Sequence, residues 1–245
     1  MLFFYIRHGD PIYSPDSLTP LGERQAEAIG KRLAQYGLDK IYSSTSERAK
    51  LTSKPACEML KKEAELLDFA NEGHAWRELG YTTELEDGTK KQNWLIDTPG
   101  MRVKLCDPSV IALGHEWYKH PMFEGYDYKK GIDRIRENAD ELLKKHGYEH
   151  IPGTGMYKVT EKNDDRVALF AHAGFGLAFM SCILDIPYPQ FAIHFDMCHS
   201  GLTVINFSEV GEGYSIPRVL TYSNDSHIYR EGIAVGYNNN RELRF

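Results

Sequence analysis

Two short apolar runs constrain this chain more than any other feature, because each ends abruptly at a histidine. Leu2-Phe3-Phe4-Tyr5-Ile6 leads into Arg7-His8-Gly9, and Val167-Ala168-Leu169-Phe170-Ala171 leads into His172-Ala173-Gly174. A short continuous apolar run is the pattern of a strand buried on both faces, as in a parallel sheet covered by helices. In such a sheet the ligand crevice lies beyond the carboxyl ends of the strands, so the residue that follows a buried strand stands where a ligand goes. His8 and His172 both occupy that position.

The segments between the runs alternate in the same way. Thr19-Pro20 caps and opens a helix whose Ala26, Ile29, Leu33 and Tyr36 recur at helical spacing until Gly37 stops it. Asp39 to Tyr42 reads as a second strand, and Ser43 to Ser46 offer caps for a helix carrying Arg48, Ala49, Thr52, Ala56, Met59 and Leu60. Pro55 within that pattern predicts a kink or a break. Ala64 to Phe69 reads as a third strand, Gly174 to Leu184 as a helix buried all round, and Gly201 to Phe207 and Ile216 to Tyr222 as later strands. Strands alternating with helices imply an α/β fold with a mainly parallel sheet covered on both faces.

Residues from about 80 to 165 break this rhythm. One amphipathic helix is clear there, with Ile132, Ile135, Ala139, Leu142 and Leu143 on one face and an end at Gly147. The stretch before it is rich in aromatics and turn formers. The expectation is a single domain over 1–245 with an inserted lid or cap at about 80–165, since long irregular segments within compact domains are more often functional than filler.

Composition narrows the partners. The 245 residues hold 29 Lys+Arg against 35 Asp+Glu, and no long basic run, which argues against a nucleic-acid or anionic-membrane surface. No stretch approaches the roughly 18 consecutive apolar residues of a membrane span. Cys57, Cys106, Cys182 and Cys198 have no short-spaced pairing and read as buried reduced thiols, so the expected compartment is the cytoplasm. His115 to His120 lacks the spacing of a helical zinc pair, and no glycine cluster extends to a nucleotide fingerprint.

An anion must therefore be attracted locally. Arg7 beside His8 offers a planar fork for phosphate or carboxylate, and Arg48 lies near a helix start, where free backbone N–H groups favour negative charge. Two arginines, two histidines and a helix N-terminus could surround one tetrahedral dianion.

At these residues the chain resembles the histidine phosphatase superfamily, also called phosphoglycerate mutase-like. The matching stretches are Arg7-His8-Gly9, Leu18 to Ala26, Tyr42-Ser43-Ser44 leading to Arg48-Ala49 and Thr52, and Phe170-Ala171-His172-Ala173-Gly174. The resemblance implies a three-layer sandwich with a mainly parallel central sheet. It also implies phosphate monoester hydrolysis through a phosphohistidine on His8, with Arg7, Arg48 and His172 as the phosphate pocket and neither metal nor cofactor. The proton donor implied by the mutase-like branch lies between the second arginine and the second histidine. Glu78, in Trp76-Arg77-Glu78-Leu79-Gly80, is the best match, with Glu72, Glu84 and Glu86 as competitors. Ala173 after the second histidine speaks against the acid-phosphatase branch.

Some positions depart from the family pattern. Ser14 stands where many members have Asn, which leaves it as a possible pocket residue, and Ser44-Thr45-Ser46 stands where many have Ser-Pro-Leu. His199, before a predicted strand, could line the site. The expected substrate is a small phosphorylated metabolite, and the motifs specify no oligomeric state. Phosphoglycerate-mutase-type transfer and a non-catalytic phosphate-binding regulator are the alternatives.

Overall fold

A computed structural model describes residues 1–237 and the short strand Glu242–Leu243. A central six-stranded sheet organises the chain: β1 (Leu2–Arg7), β2 (Lys40–Ser44), β3 (Ala64–Leu67), β4 (Arg166–Ala171), β5 (Leu202–Asn206) and β6 (Arg218–Asn224), in spatial order β6-β5-β1-β4-β2-β3. The pairs β1–β4, β4–β2 and β2–β3 are parallel, whereas β5 runs antiparallel to β1 and β6 antiparallel to β5. The mainly parallel sheet expected from the alternation is thus present, with its antiparallel pairs on one side.

Side chains of β1 point alternately to two cores. Phe4 and Ile6 pack with Ile29 and Leu33 of α1 (Pro20–Tyr36) and Ala56 of α2 (Glu47–Leu60) on one face. Phe3 and Tyr5 face the other, where α3 (Glu72–Glu78), α4 (Tyr128–Lys145) and α5 (Ala173–Ile183) contribute Ala75, Ile132, Ile135, Ala139, Phe175 and Phe179. Helices on both faces explain why the β1 and β4 sequences are apolar without alternation.

Pro55 does not break α2, which continues to Leu60. It packs against Gly30 of α1, where an added Cβ would come within 2.8 Å of the proline ring. Tertiary packing here outweighs the local helix-breaking tendency.

The segment 80–165 divides into parts. Gly80–Glu84 and Lys90–Trp94 form an antiparallel hairpin, short helical turns follow from Leu95 to Phe123, and after α4 comes a second hairpin, Tyr148–Ile151 with Met156–Val159. Helix α4 buries its apolar stripe in the same core as Tyr5 and Leu169. Cys182 and Cys198 are buried, Cys57 is partly covered and, contrary to expectation, Cys106 is exposed, because it follows a short surface helix; none is paired. Among the described residues no helix is long and apolar enough to cross a membrane.

Candidate active site

Strands β1, β2, β3 and β4 end on the same side of the sheet, and a cavity of about 530 Å³ opens there, lined by Arg7, His8, Tyr13, Asp16, Ser46, Arg48, Asn71, Glu72, Trp76 and Trp94 among others. Parallel register places Arg7 opposite Ala171, so His8 and His172 leave their strands side by side, with ring centroids 5.1 Å apart. The first turn of α2 brings Arg48 to the same place, Nη2 standing 3.1 Å from Nδ1 of His172.

His8 is buried, and its Nδ1 lies 2.7 Å from the Gly9 carbonyl oxygen. A carbonyl only accepts, so Nδ1 carries the proton and the lone pair is left on Nε2. Burial, with His172, Arg7 and Arg48 nearby, pushes the His8 pKa well below the usual histidine value. The imidazole is therefore neutral, the form a nucleophile requires.

Close backbone contact holds this loop. A Cβ on Gly9 would meet the Gly22 carbonyl oxygen at 2.6 Å, and one on Gly22 would meet the Asp10 carbonyl oxygen at 2.2 Å. The Gly9 N–H donates to Thr52 Oγ1 at 3.0 Å. Arg7 is anchored by a short hydrogen bond to the Met197 carbonyl, and Asp16 holds Arg48 at 2.8 Å.

His172 is fully buried and held from several sides. Its backbone N–H donates to Tyr5 Oη at 3.2 Å, and the Tyr5 hydroxyl donates back to the His172 carbonyl at 2.6 Å. Gly176 makes room for that ring, since a Cβ there would lie 2.6 Å from Tyr5 Oη. Nε2 faces Ser44 Oγ at 2.8 Å and Ser46 Oγ at 3.1 Å. Ser44 Oγ accepts the Ser46 N–H at 3.3 Å and keeps a second lone pair toward Nε2. Arg48 Nη2 can only donate, so Nδ1 accepts from it and Nε2 carries the ring proton, held by the two serine oxygens. Burial, Arg48 and Arg7 keep His172 well below the usual histidine pKa.

The carboxylate that reaches this centre is Glu72. Its Oε2 is 3.1 Å from His172 Nδ1, and its Oε1 accepts the Phe175 N–H at 3.1 Å. Burial raises its pKa, partly offset by Arg48, so it favours the protonated form compared with an ordinary glutamate.

Glu78, the residue singled out from sequence as proton donor, is elsewhere. Its carboxylate takes hydrogen bonds from Arg134 Nε and Nη2 at 2.6 to 2.9 Å and ties α3 to α4. Six residues at 100° each turn it about 240° from Glu72 on the same helix, so the two cannot face one cavity. Glu84 and Glu86 are exposed on the 80–94 hairpin. The strand-end rule that selected His8 and His172 also favours Glu72, which follows β3 after one 3₁₀ turn, Asp68–Ala70.

Ser14 does not line the cavity either. It is exposed in the turn of the hairpin Pro11–Tyr13 and Asp16–Leu18, whereas Asp16 and the largely exposed Tyr13 line the cavity. His199 is buried behind His8, stacked on its ring at 6.0 Å. Burial and Arg7 push its pKa down to about 2, so it is a neutral wall rather than a cavity-lining group. Tyr5, Asp16, Ser44, Ser46 and Trp94 are the residues that motif reading left unassigned.

A ring nitrogen of His8, one of His172 and a Glu72 oxygen lie within 4.8 Å of one another, a spacing that could hold a cation. The two guanidinium groups at the same centre oppose a cation and favour an anion.

Residues 4–103 match the model of the histidine phosphatase superfamily (branch 1). No curated protein matches the sequence. Among solved structures, phosphoserine phosphatase from Entamoeba histolytica, in complex with 3-phosphoglyceric acid, superposes with a TM-score of 0.58 at 16% identity, over 93% of this chain and 98% of that one. Mycobacterial glucosyl-3-phosphoglycerate phosphatase gives 0.56 at 19% identity, over 91% and 98%. A protein described as mycobacterial hydrolase 2 gives 0.57 at 20%, over 94% and 96%. The family match spans β1, α1, β2, α2, β3 and α3, the first two fifths of the chain, and the superposed structures share the fold through β4 and His172.

Proposed function

We propose that the protein is a phosphoric monoester hydrolase acting on small phosphorylated metabolites through a phosphohistidine on His8. The observation that carries this reading is the His8 bond from Nδ1 to the Gly9 carbonyl, which leaves a neutral Nε2 lone pair at a centre shared by Arg7, Arg48 and His172. Nε2 attacks phosphorus as the bond to the leaving oxygen breaks, and protonated Glu72 gives its proton to that oxygen. Water then attacks the phosphohistidine, Glu72 takes its proton, and inorganic phosphate leaves with His8 restored. Arg7, Arg48 and His172 offset the charge of the transferring group, a role in which loss of one aimed donor typically costs ~100 to 1000-fold in rate.

The hairpin Gly80–Glu84 with Lys90–Trp94 is the part of the 80–165 segment that would act as the cap, because Trp94 at its end is the one residue of that segment lining the cavity among the described residues. The test is a screen of phosphorylated metabolites and an aryl phosphate with wild type, His8→Ala and Glu72→Gln. Release of phosphate by wild type and none by His8→Ala is expected; turnover surviving in His8→Ala would contradict the assignment.

A further inference from the structure

The cavity has an aromatic side on which, among the described residues, no cation stands for a second anionic group. Among the described residues Arg7 and Arg48 are the two lining cations, and both belong to the phosphate centre, Arg7 tied to Met197 and Arg48 to Asp16. Beyond them stand Tyr13, Trp76 and Trp94. The two indoles meet edge to face, with centroids 5.2 Å apart and planes at 82°, and so form a corner that offers one ring a face and an edge. Gly174 makes this corner possible: a Cβ there would lie 2.3 Å from Trp94 Cζ2 and 2.7 Å from Glu72 Oε1. One glycine thus sets the indole wall and the acid together.

The surrounding charge points the same way. Behind Trp94 a small recess holds Arg102 with Asp97 and Asp196. Arg102 donates to the Ile96 carbonyl at 3.1 Å and pairs with Asp97 at 3.7 Å, so the recess carries two carboxylates against one guanidinium. Asn71 is also committed, accepting from the Gly73 N–H and donating to Thr45. Arg77, beside Gly73, is tied to His74 at 2.8 Å, so among the described residues a carboxylate on the substrate would meet negative neighbours and no uncommitted lining cation.

Resting on the hydrolase reading above, we infer that the preferred substrates are phosphate monoesters of uncharged alcohols bearing an aromatic ring, which stacks in the Trp76–Trp94 corner, and that phosphorylated carboxylic acids are discriminated against. A cavity of about 530 Å³ admits a phosphate and one such ring. Ring-on-aromatic stacking supports a preference of roughly tenfold.

The test compares kcat/KM of the full chain on benzyl phosphate, ethyl phosphate and O-phosphoserine, three alkyl esters whose leaving oxygens all need protonation. Benzyl phosphate is expected to exceed O-phosphoserine by about tenfold or more. Trp76→Leu and Trp94→Leu are each expected to shrink the ratio of benzyl to ethyl phosphate by at least about threefold. If Trp94→Leu does not fold, the wild-type ratios and Trp76→Leu decide. O-phosphoserine turned over as well as benzyl phosphate, or a ratio unmoved by the tryptophan changes, overturns this inference alone. No turnover on any of the three, with other monoesters of the metabolite screen hydrolysed, overturns this inference alone; no turnover on any monoester overturns the hydrolase reading, and this inference with it.

Discussion

The Glu72 carboxylate stands 3.1 Å from Nδ1 of His172, in contact with the phosphate centre, and its partner across the ring is a pair of serines rather than a second acid. In the mechanism we propose, this contact makes Glu72 the proton donor, which yields a comparison of leaving groups. Glu72→Gln is expected to slow alkyl phosphates about 100-fold or more, and aryl phosphates far less, because good leaving groups depart without a proton. Glu78→Gln is expected to retain the leaving-group dependence of wild type. It should instead lower stability by on the order of 1 to 2 kcal/mol, through the weakened contact with Arg134. Rates on a series of esters, with thermal melts of both variants, check this; equal losses on both ester classes for Glu72→Gln would remove it from the role.

The pH profile follows from two opposite shifts. His8 is held well below the usual value and stays neutral into acid, whereas burial raises Glu72 and keeps it protonated further toward neutrality. kcat/KM for alkyl esters is therefore expected to fall on the alkaline side, as Glu72 loses its proton. Glu72→Gln, lacking that proton, is expected to flatten the alkaline limb. The measurement is kcat/KM against pH for both proteins on one alkyl phosphate.

Ser44 and Ser46 set the tautomer of His172 by facing Nε2. Ser44→Ala is expected to lower kcat about tenfold and to weaken binding of vanadate, while the double change with Ser46→Ala costs more. Steady-state kinetics and vanadate inhibition constants report both effects. A pure packing role for Ser44 would leave vanadate affinity unchanged.

Away from the cavity, His150 lies between two carboxylates, Nδ1 2.8 Å from Asp140 and Nε2 2.9 Å from Asp185, so both ring nitrogens donate and the ring is charged. Burial opposes the charge, but hydrogen bonds to Asp140 and Asp185 outweigh it and raise the pKa to about 9. A raised folded pKa contributes stability that is complete below the unfolded value of about 6.5 and is lost as pH rises through about 9. The melting temperature is expected to decline between those limits in wild type, and the decline to shrink in His150→Gln. Thermal melts from pH 6 to 10, roughly the window of that titration, check it.

Much of the fold is legible because β1 and β4 are apolar without alternation and end at charged or titratable residues, a pattern with few other readings. Arg7, His8, Arg48 and His172 come together for that reason: each ends or follows a parallel strand or opens the helix after it. Glu72 and Glu78 show where legibility stops. They share one short helix, and which face meets the cavity depends on how α3 packs against α4 and α5, a relation held by Glu78–Arg134 and Gly174 and absent from any local pattern. Tyr5 is hidden for a similar reason. Its hydroxyl contacts His172, 167 residues away, whereas in the sequence it is one more apolar position of a buried strand.

The most direct test of the account is to trap the phosphoenzyme. Wild type mixed with a ³²P-labelled monoester and quenched within milliseconds is expected to carry label that is stable to base, labile to acid and located by peptide mapping at His8. His8→Ala should carry none. Label elsewhere, label on His8→Ala, or turnover with no phosphoenzyme at any time would contradict a covalent route through His8.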